Sequence, residues 1–117
     1  MWGKLSGGEE KIAWIREIYT DTYGLILAAC DKELLGKKLR RGNVVIDVSP
    51  KFYGGRLVDR EELIILMRKA DVLNLMGQKV VSLAEEIGLI HPQAKIFFEN
   101  DEGEKVPHAQ MYRFEIL

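Results

Sequence analysis

Cysteine occurs once in the 117-residue chain, at Cys30, so no internal disulfide staples the fold. Histidine occurs twice, at His91 and His108, and these two with one cysteine offer no paired-ligand spacing for a metal. Asparagine and glutamine are limited to three residues each while charged residues reach 30%, a balance that points to a heat-adapted source. No apolar run has the length of a membrane span or the pattern of a secretory signal, and a cytoplasmic location is expected. Neither Gly-x-x-x-x-Gly-Lys nor Gly-x-Gly-x-x-Gly is present, which removes two common phosphate cradles. No cofactor is implied. A formal net charge of -1 excludes a uniformly basic nucleic-acid binder.

The charge is nevertheless uneven. Residues 32–60 hold eight bases against three acids, a local balance of +5, and residues 81–117 hold three bases against seven acids, or -4. Hydrophobic residues at 47% suit one globular domain of this length. Residues 1–11, with Gly3, Gly7, Gly8 and four charges, read as a flexible lead-in, leaving 12–117 as the domain.

Aromatic and β-branched residues dominate Ile12 to Thr20, which favours a strand over the alternative helix carrying Ile12, Ile15 and Tyr19. Gly24 to Cys30 is apolar throughout and reads as a buried central strand, joined to the first through Asp21-Thr22-Tyr23 as a hairpin. Asp31 is placed to cap a short helical turn, and Asn43 to Val48 form a third strand closed by Ser49-Pro50. Asp59 with Glu62 makes a capping box for a helix burying Leu63, Leu66, Met67 and Ala70. A second helix is expected from Asp71, with a stripe through Leu73, Gly77, Val80, Val81, Ala84 and Ile87, unless the two form one bent helix; Gly88 supplies the left-handed cap. Lys95 to Glu99 is a strand, Val106 to Gln110 a link, and Met111 to Leu117 a final alternating strand. The sum is an α+β domain: a mainly antiparallel sheet with two helices packed on one face.

Several residues carry chemistry worth testing. Lys37, Lys38, Arg40 and Arg41 cluster within five positions, and Lys51 and Arg56 extend a patch that can attract phosphates, although such clusters are more often solvated loops. Phe52-Tyr53-Gly54-Gly55 is either a turn with Phe52 buried and glycines at positive φ, or a surface on which Gly54 and Gly55 expose N–H groups and Tyr53 stacks on a base. Asn74 and Gly77 interrupt an apolar helical stripe, which suggests a loop approaching there. Cys30 with His108 would suit a nucleophile and base, but Cys30 ends an apolar strand, where cysteine usually acts as a small buried hydrophobe. Loops carrying Tyr53, and His108 with Gln110, are expected to meet over Asn74 and Gly77 as one shared surface.

Four motifs occur in order: Cys30-Asp31 followed by Leu35-Gly36-Lys37; Phe52-Tyr53-Gly54-Gly55; Asn74-Leu75 with Gly77; and Pro107-His108-Ala109-Gln110. They resemble the small archaeal proteins grouped as domain of unknown function four hundred and twenty-four, over about Ile15 to Gln110. The resemblance implies an archaeal source, a compact α+β fold and a loose association with translation and ribosome-related factors. It brings no established activity. The leading expectation is therefore a non-enzymatic module that binds RNA or a ribonucleoprotein through Lys37, Lys38, Arg40, Arg41, Lys51 and Tyr53. The rivals are a small hydrolase or transferase using Cys30 or His108 beside Asn74 and Gln110, and a protein-interaction adaptor whose acidic C-terminal segment meets a basic partner.

Overall fold

Branched and aromatic side chains make the segment after the lead-in extended, and in the computed structural model, which describes residues 10–113, it forms β1 (Lys11–Thr20). The Asp21-Thr22-Tyr23 turn, in which the Tyr23 N–H donates to Thr20 Oγ1 at 2.9 Å, returns the chain as β2 (Gly24–Asp31), antiparallel to β1. Of the lead-in, residues 1–9 lie outside the described residues and Lys11 already belongs to β1.

A short 3-10 turn at Lys32–Leu34 leads to β3 (Lys38–Arg41) and β4 (Val44–Asp47), a hairpin. One helical turn, α1 (Pro50–Tyr53), precedes β5 (Arg56–Asp59) and α2 (Arg60–Lys69). Then come β6 (Val72–Met76), α3 (Gln78–Glu86), β7 (Lys95–Glu99) and β8 (Lys105–Tyr112). Eight strands form one sheet in the order β4-β3-β7-β8-β6-β2-β1-β5. Its pairings are antiparallel except for β2 with β6, so the expected mainly antiparallel α+β domain is found as a mixed sheet.

Strand alternation gives the sheet two faces. On one, Ala13, Ile15, Leu27, Leu73 and Leu75 pack against Leu63 and Met67 of α2 and Val80, Val81 and Ala84 of α3. Asp59 opens α2 as expected, its carboxylate accepting from the Glu62 N–H at 2.9 Å. On the other face Ala28, Cys30, Leu39, Met76, Phe98 and Val106 cluster with Tyr53 of α1. α1 and the turns beside it, through Leu34, Leu35 and Val48, cover that cluster, and the face stays open beyond it, around Ile26, Asn74, Gln110 and Tyr112.

Two sequence expectations change. The expected second helix begins at Gln78 instead of Asp71, and the residues before it are β6, buried on both sides as a central strand. Leu73, Gly77, Val80 and Val81 share a helical spacing only because a strand and a helix abut at Gly77. The Val106 to Gln110 link is part of β8, which pairs with β6 and β7; Pro107 sits inside it, where proline is rare because it cannot donate to the ladder. The last four residues expected in that final strand, 114–117, lie outside the described residues.

The caps are also exchanged. Asp31 makes no side-chain bond to the 3-10 turn beside it. Its carboxylate instead reaches across the sheet and accepts from the N–H groups of Lys79 and Val80 at 3.0 and 2.9 Å, capping α3 from a distant strand. Asp71, expected to cap that helix, accepts from the Leu25 N–H at 2.9 Å. Among the described residues no helix is long and apolar enough to cross a membrane.

The open sheet face as a candidate binding site

β6 and β8 lie side by side at the middle of the open face, and their register sets Asn74 opposite Gln110 and Met76 opposite His108. The four side chains share that face because strand residues two apart point the same way. α1 folds over the neighbouring strands, and the Tyr53 hydroxyl donates to Asn74 Oδ1 at 2.6 Å. The Phe52-Tyr53-Gly54-Gly55 and Pro107-His108-Ala109-Gln110 motifs therefore do converge on Asn74, but over a strand, and β8 supplies its part as strand instead of loop.

The orientation within the first motif is the reverse of that expected. Tyr53 is only 6% exposed, and burial raises its pKa, so its ring is committed to the core and not offered to a base. Phe52, edge-on to Tyr53 with ring centroids 4.8 Å apart, lines the surface cleft instead. Gly54 and Gly55 do not adopt positive φ. Their requirement is space: a Cβ on Gly54 would lie 2.6 Å from the Pro50 carbonyl oxygen and one on Gly55 2.5 Å from that of Ile15. Both N–H groups are already used, on those same oxygens, so this pair is not an anion nest.

Phe52, Tyr23, Ile26, Val72, Asn74, Gln110 and Tyr112 border a cleft of about 210 Å³. Gln110 and Tyr112 also border a shallower depression that runs on past His108 and Ile96 toward Ala94, so the two join as one trough across the open face. Tyr23 and Tyr112, at 49% and 50% exposed, are rings half in solvent. The amide oxygens along the trough are held by hydroxyls, Asn74 Oδ1 by Tyr53 and Gln110 Oε1 by Tyr112 at 3.3 Å. Among the described residues the amide NH₂ groups of Asn74 and Gln110 have no partner, and neither is sealed from solvent. His108 Nδ1 lies 2.8 Å from the Leu75 carbonyl oxygen, which can only accept, so Nδ1 carries the proton and Nε2 remains an acceptor.

Desolvation lowers the His108 pKa, partly offset by the Leu75 bond. A folded pKa below the unfolded value of about 6.5 means that stability is complete above that pH and declines as pH falls through the folded value. In urea titrations the wild type should lose more stability between about pH 7.5 and about pH 5 than His108→Gln, which has no proton to gain. Equal losses would show that His108 titrates freely.

Cys30 is fully buried, and its pKa is pushed up to about 12 by burial and then by Asp31 and Glu33. A thiol so buried is not available as a nucleophile, and the enzyme reading, which used Cys30 or His108, loses its nucleophile. The folded protein should leave Cys30 unmodified by a thiol reagent and react only on unfolding; rapid labelling of the native state would restore that reading.

The basic run of the sequence forms β3, and strand alternation divides it. Leu39 enters the open-face core, so Arg41 shares that face while Lys38 and Arg40 point to the other. Lys38 is held by Asp47 at 2.8 Å, whereas Lys37, Arg40, Arg41 and Lys51 have no ion-pair partner among the described residues. A second basic feature escaped the sequence reading. Phe97, 41% exposed, has the Lys95 and Lys105 ammonium groups 5.9 and 5.7 Å from its ring centre, on the face opposite Ile96. Adjacent phenylalanines in a strand must point to opposite faces, so Phe97 beside Phe98 was the available signal. Among the described residues no cluster of His, Cys, Asp and Glu is arranged to hold a metal.

The crystal structure of an uncharacterized conserved protein from Methanopyrus kandleri shares this fold, with a TM-score of 0.64 and 22% identity over 90% of this chain and 96% of that one. At that identity the likeness concerns the fold alone. No curated protein matches the chain. A family model matches residues 18–114, a span that contains the open-face trough, and the chain belongs to the family described as Protein of unknown function (DUF424).

Proposed function

We propose that the protein is a non-enzymatic, cytoplasmic RNA-binding module that holds unpaired bases in the trough of its open sheet face. The observation that carries this reading is the lining of the cleft: the rings of Tyr23, Phe52 and Tyr112 surround two unpartnered amide donors, those of Asn74 and Gln110. Exposed rings on a sheet, set beside polar side chains, suit bases that can be splayed out and stacked, and single strands provide them. Phosphates would be met by Arg41 and by Lys51 on α1. Ribonucleoprotein particles of the translation machinery are the partner class that the family resemblance suggests.

The test is fluorescence anisotropy of a labelled, unstructured RNA oligomer titrated with the full chain, against an RNA duplex of the same length. Saturable binding of the single strand with weaker binding of the duplex is expected. Failure to bind either would overturn the reading, and preference for the duplex would remove the trough as its site.

A further inference from the structure

We infer that the trough discriminates among bases, accepting those that carry a ring carbonyl and rejecting adenine, the one common base without an exocyclic oxygen. The inference rests on the RNA-binding reading above and concerns the chemistry of the same cleft.

An asparagine or glutamine side chain ordinarily offers one donor group and one acceptor, and with both it can pair with adenine at N6 and N7. Here the acceptor of Asn74 is occupied. The Tyr53 hydroxyl donates to its Oδ1 at 2.6 Å, and Tyr53 is itself fixed in the open-face core with Cys30, Met76 and Phe98. Rotating the amide would turn the hydroxyl into an acceptor and leave its own buried proton with no acceptor among the described residues. The Gln110 oxygen is engaged in the same sense by Tyr112 at 3.3 Å, a longer contact at the exposed end. Gln110 is the cross-strand neighbour of Asn74, so the two amides lie on adjacent strands of one face with both oxygens engaged by hydroxyls.

Two adjacent donors are satisfied by a carbonyl oxygen, whose two lone pairs can accept from both. Uracil has two, and cytosine and guanine have one each. The ring nitrogens of adenine have one lone pair each and would satisfy only one of the two donors, leaving the other unpaired or facing the N6 amino group, and an unpaired polar group is where discrimination arises. His108 Nε2, an acceptor farther along the trough, can receive the ring N–H that accompanies the carbonyl in uracil and guanine.

The experiment compares oligo(U), oligo(C) and oligo(A) of equal length, as RNA, against the full chain and against Tyr53→Phe and Asn74→Asp. Oligo(U) and oligo(C) should bind the wild type about 5- to 150-fold more tightly than oligo(A), the span usual for one good bidentate base contact. Stacking on the protein favours adenine while self-stacking of free oligo(A) opposes its binding, so the change of the ratio in the variants is what isolates the hydrogen bonds. Tyr53→Phe frees Asn74 Oδ1 and should narrow the ratio toward one, and Asn74→Asp, which replaces the donor with an acceptor, should favour oligo(A). Thermal melts establish that each variant is folded. Equal or tighter binding of oligo(A) by the wild type, or a ratio unchanged in both variants, overturns the inference while leaving RNA binding intact. Binding of none of the three removes the RNA reading and this inference together.

Discussion

Gly77→Ala should destabilise the protein by about 3 kcal/mol or more, combining backbone strain of roughly 1–3 kcal/mol with loss of a helix cap worth roughly 0.5–2 kcal/mol. Gly77 has φ +125, which side-chain-bearing residues rarely adopt, and a Cβ there would lie close against the Asp31 carboxyl group. Asp31 cannot withdraw without releasing the Lys79 and Val80 N–H groups at the start of α3. Burial raises its pKa, so those two bonds and the Lys79 charge only partly offset the cost of taking the carboxylate out of water. Loss of the bonds would leave that cost uncompensated. Domains of this size are typically stable by about 5–15 kcal/mol, so the substitution removes a large share, visible as a fall in Tm of roughly 10 °C or more. Gly88→Ala is the control: φ is +82, but nothing lies within 4 Å, so only backbone strain of about 1 kcal/mol is expected. A Gly77→Ala melt no lower than that of Gly88→Ala would contradict the Asp31–Gly77 coupling.

The second large effect concerns the rings of the trough. Tyr112→Ala and Tyr23→Ala should each weaken single-stranded RNA binding by about 1–3 kcal/mol, roughly 5- to 150-fold, the usual loss for one stacked base. The Tyr23 ring is half in solvent, so in Tyr23→Ala the Tm should move far less than the affinity. Replacing Arg41 and Lys51 with glutamine should act differently: affinity falls at low salt, and the slope of log K against log salt flattens by about 1.4, two phosphate contacts at about 0.7 each. Lys38 is the wrong choice for this test, because its ammonium is already held by Asp47. Unchanged affinity in both tyrosine variants, measured on folded protein, would move the bases elsewhere.

Local signals in the sequence were sound where the chain's neighbours in space are also its neighbours in sequence. The hairpin of β1 and β2 and the Asp59 cap of α2 are of this kind. Asp31 and Asp71 have equally clear capping chemistry, yet each serves a backbone group 46 to 49 residues away, a partner that no local pattern reveals. β6 was hidden because its buried residues run directly into the apolar stripe of α3, and β8 because Pro107 reads as a break. The glycines of the Phe52-Tyr53-Gly54-Gly55 motif do mark a constraint, but one of space against the Pro50 and Ile15 carbonyls and not of positive φ. At the candidate site, Asn74 stands out in the sequence as a polar residue in an apolar stripe, and His108 and Gln110 as residues of a loop expected to meet it; the structure sets all three along one trough, His108 and Gln110 on a strand. Which of Phe52 and Tyr53 would face inward was not decidable from sequence, since the hydroxyl that favours burial of Tyr53 needs Asn74 from a distant strand.

The most direct test of the trough is a ¹⁵N-resolved NMR titration of the folded chain with oligo(U), read at the side-chain amides. The sequence has three asparagines and three glutamines, so six NH₂ pairs are observable and assignable by single substitution. The Asn74 and Gln110 pairs should shift and saturate together with binding, while those of Asn43, Gln78, Gln93 and Asn100, which do not line the trough, should stay in place. Saturable binding that leaves Asn74 and Gln110 unmoved would contradict the account.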